Sequence, residues 1–397
     1  MNMYFIKKIF LFVWLSGLFY GAFAQVSPEI QLGARGVMSF NTDISGSQKA
    51  TSVNDFSDTG LLLGFRQKLY NRFRGQLVIG LQFPDADSDL GQVFFHQTFL
   101  RIEDQKNILK MGRTRVQSAL IEFPTLRDDD ALFLTDVLNP FSSGENTEDN
   151  QYGNVIEAAH VFAQRYWLRL HGEHFNKTPQ PPATAETDFS LNAVGASFVY
   201  RVPETQLWNR PFIQQIGLGF NNFLTDRRGY SNRFDKTLKN ILVSGIFNLK
   251  PDPIYFVDAR FQVVYNLGFK EVKTVGSFYD LTRATAAAHF FSLRFLYRKL
   301  ERPTLQLALS GGFKVFPNLT NKTRQWQVIA NAFYRLGENF DVALQVQQSQ
   351  FSGDLKALYG KSETRFQVGL VYSIDQRWNK QFDDRNSLLN LEHGYIP

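Results

Sequence analysis

The chain contains no cysteine, so disulfides, thiolate metal sites and cysteine nucleophiles are all excluded. It has only 6 histidines and no Gly-x-Ser-x-Gly elbow, which argues against a hydrolase built on a serine triad. No block of basic residues concentrates its charge, so a nucleic-acid partner is not indicated. After residue 24 no apolar run approaches the roughly 18 residues that mark a membrane-crossing helix. A Pro/Ser linker is also missing. The nearest candidate, 179–185, sits between two strand-like segments as an ordinary loop would, so a single domain is expected.

Aromatic residues, by contrast, are plentiful at 15%, with 39 Phe. The N-terminus reads as an export signal. Lys7 and Lys8 form a basic start, 9–20 is almost unbroken apolar sequence, and Gly21-Ala22-Phe23-Ala24 supplies the small-x-small cleavage pattern. Residues 1–24 are therefore expected to be a signal peptide, with Gln25 as the new N-terminus. Cleavage lowers Lys+Arg from 43 to 41 against 37 Asp+Glu, a small excess.

The dominant signal has period two. Successive side chains of a strand face opposite sides, so one face can meet lipid and the other water. Ile30, Leu32, Ala34, Gly36, Met38 and Phe40 alternate with Gln31, Gly33, Arg35, Val37, Ser39 and Asn41. The pattern returns over 76–83, 255–266, 305–314, 340–347 and 365–374. Helical periodicity would scatter these polar residues over several faces.

Such segments place strands near 29–42, 58–69, 74–83, 93–103, 108–114, 154–163, 166–175, 189–201, 212–223, 237–249, 254–267, 284–298, 304–316, 324–336, 340–349 and 364–374. Short connections alternate with long polar ones; 202–211 is the one irregular member of the short set. Tight periplasmic turns and long outer loops belong to transmembrane barrels. The expected fold class is therefore all-β, a transmembrane antiparallel β-barrel of about sixteen strands over 25–374. Its third outer loop is long, and 375–397 is expected to form a periplasmic tail.

With an export signal, alternating strands and sorted loops, the chain resembles the bacterial outer-membrane porins of the general or phosphate-selective type. That resemblance implies an outer-membrane location, contact with outer-membrane lipid and passage of small hydrophilic solutes or ions. It also implies a homotrimer or a membrane complex. In trimeric porins the third outer loop folds into the lumen, which implies constriction residues Glu122, Arg127, Asp128, Asp129, Asp130 and Asp136. Porins commonly end on an aromatic residue at the last strand's tip, and the tail here departs from that.

The strand register assigns Arg35, Arg66, Lys68, Arg101, Lys110, Arg169, Arg260, Arg294, Arg298, Lys314, Arg335 and Arg365 to the lumen. The acids assigned there are Glu103, Glu157, Glu173, Asp258 and Asp341. An excess of fixed positive charge raises the local anion concentration, so a mild anion preference is expected of a passive pore. The alternative is a non-conducting accessory barrel of an outer-membrane complex.

Three other motifs are weaker. The acidic run 128–130 with Asp136 lacks the spacing of a calcium loop. His171 and Glu173 share one strand face while His174 takes the other, so they do not form a zinc set. Gly360-Lys361-Ser362 lacks the first glycine of a phosphate loop, Leu355 standing there. No cofactor or metal is called for, and no enzymatic activity. N-terminal sequencing of the exported protein should begin at Gln25, and replacing Ala22 and Ala24 by leucine should leave uncleaved precursor.

Overall fold

In the computed structural model, lipid-facing apolar residues and inward polar residues fold the alternating segments into one closed sheet. The structure describes residues 28–380 except 46–50, 56–59, 69–72, 83–93, 105, 116–151, 175–192, 203–210, 224–237, 268–286, 300–301, 317–322, 338, 354 and 357–359. The expected signal peptide and the constriction-loop residues Glu122, Arg127, Asp128, Asp129, Asp130 and Asp136 lie outside the described residues.

The first half of the sheet comprises β1 (Glu29–Ser45), β2 (Thr51–Asp55), β3 (Gly60–Lys68), β4 (Arg74–Gln82), β5 (Phe94–Glu103), β6 (Asn107–Arg115), β7 (Tyr152–Phe162), β8 (Tyr166–His174) and β9 (Ala193–Arg201). The second comprises β10 (Ile213–Phe223), β11 (Leu238–Lys250), β12 (Tyr255–Asn266), β13 (Ala287–Lys299), β14 (Arg302–Phe316), β15 (Thr323–Arg335), β16 (Phe340–Phe351) and β17 (Ser362–Trp378). β2 and β3 both pair with β1, β2 with its outer half and β3 with its inner half. They occupy one position in the wall, which makes a closed antiparallel barrel of sixteen strands.

Beyond small shifts of strand ends, two differences from the sequence reading stand out. β2 falls in a stretch expected to be loop, because Thr51–Asp55 is polar and its pairing with Ser39–Asp43 extends the hairpin beyond the alternating core. The last strand runs past Ile374 to Trp378, since Asp375 to Trp378 pair in register with Gly33 to Ile30. The tail expected from 375 therefore begins in strand, and that strand ends on an aromatic residue.

Closure rests on β1 and β17, whose register runs unbroken from Ile30↔Trp378 to Ser45↔Glu363. A membrane offers no water to unpaired amides, so a spanning sheet must have no free edge. The exterior is what such a setting requires. On β16, Leu344 is 53% exposed while its neighbour Gln345 is 1%, and the contrast repeats along β7, β10 and β15. His289 and Arg324 lie on this outer face. His289 stacks on Phe313 at 4.2 Å between ring centroids and meets Tyr265 edge-on.

Aromatic rings gather at the periplasmic end. The Tyr166 ring centroid lies 5.5 Å from that of Phe162, 6.0 Å from Phe198 and 5.4 Å from Tyr200. Tyr255 contacts Tyr297 at 5.4 Å, with Lys250 Nζ 5.5 Å from the Tyr255 ring. Such rings suit the boundary between lipid and water. The β11–β12 turn is closed by Asp252, whose Oδ1 accepts from the amides of Ile254 and Tyr255 at 2.8 and 2.9 Å. The Tyr255 and Ile254 amides hold its carboxyl below the usual carboxylate range. A lowered folded pKa stabilises the turn above the ordinary carboxylate range, and the contribution is lost as pH falls through the lowered value.

One glycine is required by geometry. Gly112 has φ of +126°, and a Cβ there would sit 2.5 Å from Thr98 O and 2.8 Å from Phe99 Cα. Gly112→Ala should destabilise the barrel by about 1–3 kcal/mol, read as a lower urea midpoint in lipid vesicles. Gly36→Ala, with no neighbour within 4 Å, should cost much less.

Candidate functional site: the charged inner wall

Because strand partners sit side by side, inward residues form transverse rows. One row runs Glu29, Arg66, Gln76, Arg101, Lys110, Glu157 and His171 over seven consecutive positions of the wall. The next row toward the periplasm holds Lys68, Arg74, Glu103, Ile108, Ala159 and Arg169. The first six strand positions after β1 thus bring most inward charges of this half together.

Glu103 is the hub of that wall. Its carboxylate lies 3.5 Å from Arg66 Nη2, 3.7 Å from Arg74 Nε and 2.6 Å from Arg101 Nη2. Three guanidinium groups around one carboxylate leave net positive charge in a place where solvent screening is weak. Gln76 Nε2 donates to Gln31 Oε1 at 3.1 Å, and Gln31 Nε2 donates to Glu29 Oε1 at 2.9 Å. Lys110 Nζ stands 4.7 Å from the centroid of the Phe99 ring, a cation–π contact.

His171 and Glu173 share the inner face, as their two-residue spacing dictates, with Nε2 and Oε1 3.5 Å apart. The Cε1–Nε2 side of the imidazole packs against Gly195. A Cβ at that position would be 2.3 Å from His171 Cε1 and from Asn221 Oδ1. The His174 side chain is outside the described residues, and no group of His, Asp or Glu among the described residues is arranged to hold a metal ion.

A second charged group lies across the bore. Arg294 grips Asp258 through Nε–Oδ1 at 2.9 Å and through Nη2–Oδ2, and Arg260 Nε lies 3.9 Å from the same carboxylate. Lys314 is buried on β14. Nearer the chain's end, Arg335 pairs with Asp341 at 2.9 Å and Arg365 with Glu363 at 3.3 Å. Arg169 donates from Nε to Ser197 Oγ at 3.2 Å. Arg35 pairs through its backbone with Ser373 and Gly60; its side chain is outside the described residues.

Between these charged groups β13–β17 carry uncharged hydrogen-bonding side chains. Ser310 Oγ donates to Ser292 Oγ at 2.9 Å, Gln327 Nε2 to Ser349 Oγ at 3.0 Å, and Gln345 Nε2 to Gln367 Oε1 at 2.6 Å. The inner face also carries apolar patches, Leu62–Val78–Phe99 and Leu242–Val264 with Val199. Sequence reasoning missed Arg74, Glu29 and Glu363 as members of the wall. Arg74 was detectable, since it shares the parity of Gln76 on its strand, but the first residue of a strand carries little periodic signal.

No family model and no curated protein matches the sequence. Solved structures do match in fold. The outer-membrane channel DcaP of Acinetobacter baumannii is 14% identical, with 88% of this chain and 98% of that one covered and a TM-score of 0.58. The anion-selective porin of Comamonas acidovorans is 11% identical, covering 87% and 99%, with a TM-score of 0.60. OmpT of Vibrio cholerae in its trimer form is 8% identical, covering 88% and 100%, with a TM-score of 0.53.

The two kinds of ion pair on the wall should respond differently to neutralisation. Asp258 is 2% exposed against Arg294 at 12%, so Asp258→Asn should cost about 3–5 kcal/mol by leaving buried guanidinium charge uncompensated. Asp341 and Arg335 are 13% and 31% exposed, and Asp341→Asn should cost about 0–1 kcal/mol. Urea titrations of both variants in lipid vesicles check the difference.

Proposed function

Starting from a fold shared with the outer-membrane porins, we propose that this chain is a passive diffusion pore for small hydrophilic solutes and ions, with a mild preference for anions. The observation that carries this reading is the inner wall, where basic side chains outnumber acids over the wall as a whole, although β7 and β16 carry only an acid. Fixed positive charge held in a low-dielectric wall concentrates anions and admits them ahead of cations.

The wall does this with paired charges. Glu103 sits among three arginines, and Asp258 is shared by Arg294 and Arg260. Each acid fixes the geometry of the bases and removes only part of their charge. The residual field is positive and rigid, which fits weak selectivity at low cost in bound solute. Glu122, Arg127, Asp128, Asp129, Asp130 and Asp136 are proposed to modulate that field from the third outer loop. Assembly as a homotrimer is part of the proposal, supported by the trimer form of the similar V. cholerae protein.

A second reading has an observation of its own. Glu173, Asn240 and Phe256 on the inner face are 0% exposed, which favours a filled bore and hence an accessory, non-conducting barrel. The two readings separate in one experiment. Single-channel recording of the refolded mature protein under a salt gradient should give long-lived open steps and a reversal potential of anionic sign. Lys314→Glu with Arg365→Glu should lower the anion-to-cation permeability ratio at least about twofold. Silent, correctly folded protein would transfer the assignment to the accessory role, and a cationic reversal potential would overturn the anion preference.

A further inference from the structure

The outer face of β5–β8 carries a dent that the lipid belt elsewhere does not require. Ile102, Leu109, Ala158 and Leu170 are neighbours in one transverse row. All but Ala158 bear long side chains, so the row is interrupted where a methyl group stands between leucines. The next row toward the periplasm begins with Asn107, His160 and Leu168. Together with Phe73 at the β3–β4 turn, these residues line a groove of about 410 Å³. Its lining is apolar except at the periplasmic rim, where Asn107 and His160 stand.

The rim has a defined hydrogen-bonding sense. Asn107 Nδ2 donates to both carboxylate oxygens of Asp104 at 3.1 Å. That orients its Oδ1 toward His160 Nδ1, 2.8 Å away, and Oδ1 can only accept. Nδ1 of the neutral imidazole is therefore the donor and Nε2 is the acceptor. Just beyond the rim, the periplasmic turns present the exposed side chains of Lys106 and Arg165. Their backbones are tied to the same strand end, Lys106 O accepting from Val161 N at 2.7 Å and Arg165 N donating to Phe162 O at 3.4 Å.

We propose that this groove binds one glycerophospholipid of the periplasmic leaflet. An acyl chain fills the space over Ala158, and the phosphate lies against Lys106 and Arg165. The headgroup donates a hydrogen bond to His160 Nε2. The rim chemistry selects among headgroups: an ammonium with N–H groups or a glycerol hydroxyl can donate, whereas a quaternary ammonium cannot. The stacked rings of Phe162, Tyr166 and Phe198 next to the rim fix the depth of the boundary at which such a headgroup sits. This site lies outside the bore and is independent of whether the barrel conducts.

Native mass spectrometry of the full mature protein in mild detergent tests it, with phosphatidylethanolamine, phosphatidylglycerol and phosphatidylcholine titrated separately. The wild type should hold one phosphatidylethanolamine or phosphatidylglycerol at least about tenfold more tightly than phosphatidylcholine. Ala158→Leu fills the groove on a lipid-facing position and should abolish that tight lipid. Ala330→Leu, the same change elsewhere on the outer face, should leave it in place. His160→Phe should remove the discrimination against phosphatidylcholine, and Lys106→Gln with Arg165→Gln should weaken all three lipids. Equal retention by wild type and Ala158→Leu would overturn the proposal, as would equal loss in Ala330→Leu. A change of oligomeric state in Ala158→Leu with lipid retention unchanged would give the groove to a second copy of the chain.

Discussion

Everything in this molecule follows from the requirement that no backbone amide or carbonyl be left unpaired in hydrocarbon. An unsatisfied group there costs several kcal/mol, and a sheet meets the requirement only by joining its first strand to its last. The β1–β17 seam does so over the whole length of both strands. Once the ring is closed, the pleat sorts every strand into an outer and an inner residue set. The exterior then has to be apolar and the interior is free to carry charge. Both the lipid belt and the charged wall are consequences of that one closure.

The inner wall adds a second constraint. Guanidinium and carboxylate groups on adjacent strands are held about one strand spacing apart, close enough to pair directly. Glu103 and Asp258 each gather several bases, so the wall is a set of small charge networks with fixed geometry. Gly195 extends the same logic to His171, whose ring occupies the space a side chain would take. The rigidity of the wall comes from these shared acids as much as from the ladder beneath it.

Much of the architecture was legible in the sequence because the two solvents of a barrel impose opposite chemistry on alternate residues. Leu344 and Gln345 are adjacent in sequence and opposite in surroundings, and that contrast can be read directly. β2 was illegible because Thr51–Asp55 is short and polar but for Val53, so it shows no alternation to read. The end of β17 was missed because 375–377 is polar on both faces, although Trp378 marks where the boundary returns. The inward parity of Arg66, Arg101 and Arg294 could be read residue by residue. Their partners could not, because register between strands distant in sequence is set by turn geometry and pairing. The dent at Ala158 was equally hidden, since an alanine on an apolar face breaks no pattern until its neighbours on the flanking strands are known.

The seam also governs when the protein can exist. Ile30 meets Trp378, so the contact that completes the ring joins residues from opposite ends of the described chain. Loop-closure entropy makes such a pairing late and slow, and nothing nearer in sequence can substitute for it. Until the last strand has been synthesised and exported, β1 presents an edge with no partner, and after that β17 does as well. Any sheet formed before that contact carries two adhesive borders, as every exposed edge strand does. How quickly those borders find each other is thus a kinetic matter, separate from the stability of the finished barrel.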